Sequence, residues 1–432
     1  MFALVLPQIF DSRRSSCRSG DVALPHAGLA SVQIRTELVP FLSPFQAICP
    51  IDHAAFSMKP ICIDCRYIGA RPSGIAEAVI GLLQHIPALA PDLSFLLLRG
   101  PHREQPLSTA PNVREVVTRA PVNGPGTMWF LSQMVDLRAV GLFHATANFL
   151  PANLAMPTLT TIHDIMWLTD PQWCNPSFYG RIERAFYGHG IKRAMNRSSR
   201  IVALSQATAD AILERQPDAQ ARLSVIHSGV SERFHPIMPD PERLEQLGLP
   251  AGHRFVLTVG QSSPYKNHGN ALRAFADAFG ACEDVSLVLV QRQARGRGAL
   301  HGLATQLGIA ERVIAMPAVS THDLLLLYSS AQVLLHPSLA EGFGNPVAEA
   351  MACGCPVITS NCSAMPEVAG GAARLVDPLD VKEIAAALRD VLNAPDTQSA
   401  MREAGLARAR ELDWESAARK YVSLYREIMA EG

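Results

Sequence analysis

The chain of 432 residues has almost no charge imbalance: 38 Lys and Arg stand against 39 Asp and Glu, a formal net charge of -1. Such near-cancellation gives no electrostatic case for nucleic acid as a partner, and no basic stripe or zinc-finger spacing supplies one. Nine cysteines are present, an odd number, and only Cys62/Cys65 and Cys353/Cys355 are close pairs. No second pair or histidine cluster completes a metal site around them. They read as core thiols of a protein in a reducing cytoplasm. No apolar run reaches transmembrane length. The opening MFALVLPQIF is apolar, but Arg13 and Arg14 follow it rather than precede it, the wrong order for a signal peptide. Residues 1–59 show little periodicity, and Met58-Lys59-Pro60 stand directly before the first convincing strand. The segment 1–59 therefore reads as a disordered extension or the product of an upstream start site.

From residue 61 onward, short β-rich apolar runs alternate with longer helical ones. Strands are expected at 61–64, 95–98, 141–144, 158–162, 200–204 and 223–227, then at 255–259, 286–290, 312–316, 332–336, 356–359 and 373–376. Many of these runs are continuous rather than alternating, as in parallel strands buried on both faces. Helical stretches such as 74–86, 207–215 and 270–279 lie between them. Strand-helix alternation in two sets of about six predicts an α/β protein of two Rossmann-like, doubly wound domains. Prolines cluster over 230–250, which marks the boundary. The last segment is an amphipathic helix whose apolar face includes Trp414, Tyr421 and Leu424. No tandem repeat is visible. The first strand is not followed by Gly-x-Gly-x-x-Gly, which argues against a dinucleotide-dependent oxidoreductase.

The most informative stretch is 336–378, HPSLAEGFGNPVAEAMACGCPVITSNCSAMPEVAGGAARLVDP. An apolar strand runs into a glycine-rich bend, and Pro346 then opens a helix. Glu341 lies in the bend and Glu349 about one turn into the helix, eight positions on. Gly342 and Gly344 let backbone approach a ligand closely. A helix opening at a strand's carboxyl end turns unpaired N–H groups outward, which suits anionic oxygens. Two carboxylates, one at the helix mouth and one deeper, can hold two groups of one long polar ligand.

This block resembles the Glu-x7-Glu region of the family-4 retaining glycosyltransferases, which have two Rossmann-like domains facing across a cleft (the GT-B architecture). Both HPSLAEGFGNPVAEAMACGCPVI and PEVAGGAARLVDP carry the likeness. It extends over about residues 60–430, strongly in the second half and more loosely in the first. The resemblance implies an acceptor-binding domain over 60–235 and a nucleotide-sugar-binding domain over 236–410. It also implies a helix at 411–432 that crosses back onto the first domain. The activity implied is hexose transfer with retention, from a nucleotide-sugar donor to a glycan or lipid-linked acceptor. No further cofactor is implied, and peripheral contact with the inner membrane face stays open. Glu341 would meet sugar hydroxyls and Glu349 the ribose hydroxyls. Gly342, Phe343, Gly344, Asn345, Pro346 and Val347 would form the donor-binding bend, and Val319 would line the nucleobase pocket. The likeness to bacterial mannosyltransferases of lipopolysaccharide or exopolysaccharide assembly favours GDP-mannose over UDP-glucose.

In doubly wound folds ligands bind at the carboxyl ends of strands, which orders the other candidates. After 61–64, RYIGARPSGI feeds a helix with Gly74 at its mouth, and Arg71 lies in the same loop. After 158–162 come His163 and Asp164, a polar pair ending a buried run. His163 matches the family's active-site histidine, whereas Asp164 suits helix capping. His144, in FHATANFLP, is a weaker candidate, and Ser205 reads as a cap. After 255–259, the loop GQSSPYKN has Lys266 as its cation, suited to a diphosphate. The family commonly carries Arg and Lys together here; this chain has Gln261 and Tyr265 beside its one Lys, and Arg292, in the next loop, is a candidate for the missing cation. No Asp-x-Asp pair is placed to hold a metal, so metal-independent transfer is expected. The rival readings are a non-catalytic subunit keeping this fold, and an epimerase or phosphorylase on a similar frame.

Overall fold

The computed structural model describes residues 59–431 apart from 70–72, 104, 176 and 292–296. Arg71, Arg292 and the leading segment up to residue 58 thus lie outside the described residues. Among the described residues thirteen strands build two all-parallel sheets. The first contains β1 (Ile61–Asp64), β2 (Phe95–Arg99), β3 (Val113–Val117), β4 (Leu142–Ala145), β5 (Thr158–Ile162), β6 (Arg200–Ala203) and β7 (Leu223–Val225), in the order 3-2-1-4-5-6-7. The second contains β8 (Arg254–Val259), β9 (Val285–Val290), β10 (Val313–Met316), β11 (Val333–His336), β12 (Val357–Ser360) and β13 (Arg374–Val376), in the order 10-9-8-11-12-13. In each sheet the strand order reverses once, at β1/β4 and at β8/β11, and these switch points open a crevice at the strands' carboxyl ends.

The sequence expectations locate twelve of these strands; β3 is the addition. It lies at the sheet edge, and its run VREVV buries Val113 and Val116 while charged residues interrupt the apolar pattern. Val113 and Val116 enter the cores on opposite faces of the sheet, but Arg114 and Glu115 between them break the continuous apolar signature of a central parallel strand. Glu115 fixes it instead, pairing with Arg99 Nε at 2.6 Å.

Helices cover both faces of each sheet. The helix Gly74–Leu89 and the last helix, Trp414–Glu431, pack together on one face of the first sheet. Trp414, Tyr421 and Leu424 are buried there, as the amphipathic pattern requires. Polar bonds add to this seam: Tyr425 Oη lies 2.8 Å from His144 Nδ1, and Thr161 Oγ1 lies 2.9 Å from His144 Nε2. His144 is fully buried with both ring nitrogens engaged, so it is a structural histidine and not a ligand-facing one. Burial, with His163 nearby, lowers its pKa to about 3. The thiols of Cys62, Cys65, Cys353 and Cys355 are buried and unbridged.

Candidate active site

The two switch points bring the candidate residues together. Lys266 follows β8 and Glu341 follows β11, so the loops that flank the second switch point carry opposite charges. Lys266 Nζ lies 2.5 Å from Glu341 Oε1, with the two side chains only 9% and 10% exposed. Three donors converge on that oxygen: Lys266, Ser338 Oγ at 2.8 Å and His336 Nε2 at 3.0 Å. Among the described residues Oε2 is left for a ligand. Burial would raise the Glu341 pKa, but the Lys266 charge and the His336 hydrogen bond outweigh it and hold the group at about 2. A charge buried this deeply survives only when paired and hydrogen-bonded.

Backbone geometry fixes both partners. Asn267 has a φ of 57° and turns its Nδ2 to the carbonyls of Pro337 (3.1 Å) and Pro378 (2.7 Å), which holds the Lys266 turn in place. Ser363, also left-handed at φ 57°, accepts from the Glu341 N–H at 2.9 Å and donates to the Glu341 carbonyl at 2.7 Å. Such conformations cost on the order of 1 kcal/mol or more and persist where surrounding contacts over-determine them.

The bend after Glu341 requires its glycines. A Cβ on Gly342 would stand 1.8 Å from the His163 carbonyl oxygen, and Gly344 has a φ of 101° with Met365 against it. The helix Asn345–Ala352 then begins, with Pro346 in its first turn. Pro346 has no N–H, and Val347 N–H is spent on the Gly344 carbonyl at 2.9 Å. Of the four positions Gly344–Val347, only Gly344 and Asn345 keep an amide not spent in this way. Phe343 and Val347 are buried in the core and shape the bend from behind. Gly74, the first residue of its helix, faces this mouth: its Cβ position is 3.4 Å from Asn345 Nδ2. Two helix N-termini, both partially positive, thus meet at one place.

His163 stands at the carboxyl end of β5, against Gly342. Its ring donates from Nε2 to the Thr146 carbonyl at 2.9 Å, which leaves the lone pair on Nδ1. Burial lowers its pKa to about 4, so the ring is neutral at pH 7. Asn148 Oδ1 accepts the His163 N–H at 2.7 Å. Asp164 Oδ1 accepts from the Met166 N–H at 3.0 Å, a capping role; burial raises its pKa, and Glu341 nearby adds to that. Ser205 caps its helix by accepting from the Thr208 N–H.

Glu349 accepts from Tyr328 Oη at 3.0 Å. With Asn345, Glu77, Arg233 and Trp414 it lines a cavity of about 490 Å³ that runs along the first helix and the connection between the sheets. Val319 is half-buried against the second core, in the loop between β10 and the helix Thr321–Ser330. In the Lys266 loop, Gln261 Nε2 donates to Tyr265 Oη at 2.9 Å, so the positions beside the lysine are tied to each other.

Reasoning from sequence missed a clasp. Glu367, from PEVAGG, accepts the N–H of Gln206 at the start of the helix Gln206–Arg215 and takes a 2.5 Å contact from His227 Nε2. It ties the second sheet's layer to the first beside the Gly342–His163 contact. Its only trace in the sequence is an acid in a short helical turn. Glu367→Gln keeps the shape and removes the charge, at a cost of about 1.5 to 3 kcal/mol in closure. A larger radius of gyration in small-angle scattering and slower turnover are expected; wild-type values for both would show that Glu367 does not hold the halves together.

Two family models tile the chain: "Glycosyltransferase Family 4" over residues 72–234 and "Glycosyl transferases group 1" over residues 240–408. This chain belongs to the family-4, group 1 glycosyltransferases. It is 29% identical to MMP alpha-(1->4)-mannosyltransferase of Mycolicibacterium hassiacum over 65% of this chain and 67% of the other. It is 26% identical to O-antigen chain mannosyltransferase B of Escherichia coli over 66% of this chain and 74% of the other. Among solved structures, sucrose-phosphate synthase from Thermosynechococcus elongatus superposes with a TM-score of 0.67 at 21% identity, covering 87% of this chain and 100% of that one. Anabaena HepE, solved with UDP and glucose, superposes with a TM-score of 0.63 at 19% identity, over 86% of this chain and 100% of the other. At these identities the structural likeness establishes the GT-B fold. Among the described residues no helix is long and apolar enough to cross a membrane.

Proposed function

We propose that this glycosyltransferase moves mannose from GDP-mannose, with retention and without a metal ion, to a glycan or lipid-linked acceptor at the inner face of a membrane. The observation that carries the reading is the buried Lys266–Glu341 pair, set where two helix N-termini meet beside a neutral His163. The mannosyltransferase names of several relatives, two of them O-antigen enzymes, support the choice of sugar and pathway.

The donor diphosphate would lie against the amides of Gly344 and Asn345, with Lys266 between it and Glu341. A cation already buried loses little hydration when the leaving group gains charge, so it stabilises departure electrostatically. Glu341 Oε2 would accept from sugar hydroxyls and Glu349 from the ribose. The acceptor hydroxyl attacks C1 on the face from which the diphosphate leaves. The C1–O bond to phosphate breaks as the new C1–O bond forms, and the hydroxyl proton passes to the departing diphosphate. Closure of the halves excludes water from this step.

Thermal shift and nucleotide release, measured with EDTA present against GDP-mannose, UDP-glucose and ADP-glucose, test the reading. GDP-mannose is expected to stabilise the protein most and to release GDP slowly. A stronger response to UDP-glucose would replace the donor, and activity lost to EDTA would overturn metal independence. No response to any donor would favour a non-catalytic subunit.

A further inference from the structure

A cavity well away from the candidate active site is lined by cations. It is an open groove of about 720 Å³ beside the helix Phe178–Arg197, bounded by the short helix Met166–Thr169 and the end of the helix Gln206–Arg215. Cations dominate its polar lining: Arg181, Arg184, Lys192 and Arg215, with His189. The helix Phe178–Arg197 carries five Lys and Arg against one acid, Glu183, in a chain of net charge -1. That one acid is engaged by Asn175 Nδ2 at 2.7 Å.

An apolar margin adjoins the groove. Ile182 is 60% exposed and Tyr179 73%, both on the same helix, and Phe130 is 48% exposed on the helix Pro125–Met134. The two helices meet at Trp129, whose ring lies 6.0 Å from His189 and 6.1 Å from Phe186, so the aromatic margin and the basic groove are continuous. Large apolar side chains exposed singly are ordinary; several gathered beside a block of cations are not. Lys and Arg interleaved with Trp, Tyr, Phe and Ile on one surface is the composition that enters a headgroup layer.

We infer that this face, the helix Phe178–Arg197 with Trp129 and Phe130, docks on a bilayer of anionic phospholipid. The cations of the groove meet the headgroup phosphates, and Phe130, Tyr179 and Ile182 enter the boundary with the acyl chains. The inference rests on the membrane contact proposed above and names the surface and lipid class for it.

The test is co-sedimentation of the full chain with vesicles of phosphatidylcholine alone and of phosphatidylcholine mixed with phosphatidylglycerol, with donor hydrolysis followed in parallel. Binding is expected only to the anionic vesicles and should weaken as salt rises. The triple variant Arg184→Ala, Lys192→Ala, Arg215→Ala is expected to bind about a hundredfold more weakly, at roughly fivefold per cation. Phe130→Ser with Ile182→Ser should lose binding that survives high salt, and both variants should keep wild-type donor hydrolysis in solution. If the wild type binds anionic vesicles and both variants bind equally well, this face is wrong although the membrane contact stands. If the wild type binds no vesicle, the face and the contact both fall, whatever the donor assay shows. Equal binding to neutral vesicles would overturn the anionic selectivity.

Discussion

Replacing Lys266 by Ala is expected to lower kcat/KM by on the order of 10² to 10³ and to destabilise the fold by about 3 kcal/mol. Two effects combine. In the proposed mechanism the leaving diphosphate loses its one cation in this loop, and the Glu341 carboxylate, 10% exposed, is left buried with Ser338 and His336 to hold it. The wild-type carboxyl is held at about 2, below its ordinary 4.5. A depressed carboxylate stabilises the folded state above about pH 4.5 and loses that contribution as pH falls toward 2, a difference of roughly 3 kcal/mol. Lys266→Ala should abolish this acid-side slope, which urea unfolding at a series of pH values reads directly. The double variant Lys266→Met, Glu341→Gln separates the two effects: stability should recover while donor turnover stays lost. Recovery of turnover with stability would mean that the pair only supports the fold, and wild-type activity in Lys266→Ala would remove the lysine from the mechanism altogether.

The fold itself is expected to weaken steeply between pH 6.5 and pH 4, before any such carboxylate titrates. His144 is fully buried with a pKa lowered to about 3, and His268 is buried with a pKa lowered to about 4; desolvation is the main cause in both. In the unfolded chain each takes a proton near 6.5. The folded state binds fewer protons, so stability is complete above pH 6.5 and falls as the medium is acidified. At pH 5 each histidine withdraws about 2 kcal/mol, together about 4 kcal/mol, a large share of the 5 to 15 kcal/mol typical of folded domains. Denaturant midpoints at pH 7.5 and pH 5 measure the loss. His163, with its pKa likewise lowered to about 4, adds to the same slope, so His268→Asn should flatten the profile by roughly a third or less. A midpoint that does not move between those two pH values would show that these rings are not held neutral. Because His144 is bonded to Tyr425, the last helix is expected to loosen early, with exchange of its amides as the local readout.

Much of this was legible in the residues. Continuous apolar runs give parallel strands buried on both faces because burial there removes any need for alternation. That rule located twelve strands, while the edge strand β3, whose apolar run is broken by Arg114 and Glu115, escaped it. Chemistry placed at strand ends was legible for the same reason: a polar residue closing a buried run, such as His163, or a lone cation in a loop, such as Lys266, contradicts the run that precedes it. His144 shows where that reasoning stops. It too ends an apolar run, and its partners Tyr425 and Thr161 come from elsewhere in the chain, so its burial could not be read locally.

By itself, then, the sequence determined the strand-helix alternation of two doubly wound sheets, an amphipathic last helix, and the strand ends where candidate ligand chemistry sits. It did so because periodicity and strand-end chemistry are local properties of the chain. Tertiary structure alone decided the pairings: Lys266 with Glu341 across 75 positions, Gly342 against the His163 carbonyl, Glu367 on the Gln206 helix, and Trp129 beside His189. Each depends on which strand ends the two switch points bring together and on how the layers close. Those distances are set by packing of the whole, and no spacing along the chain encodes them.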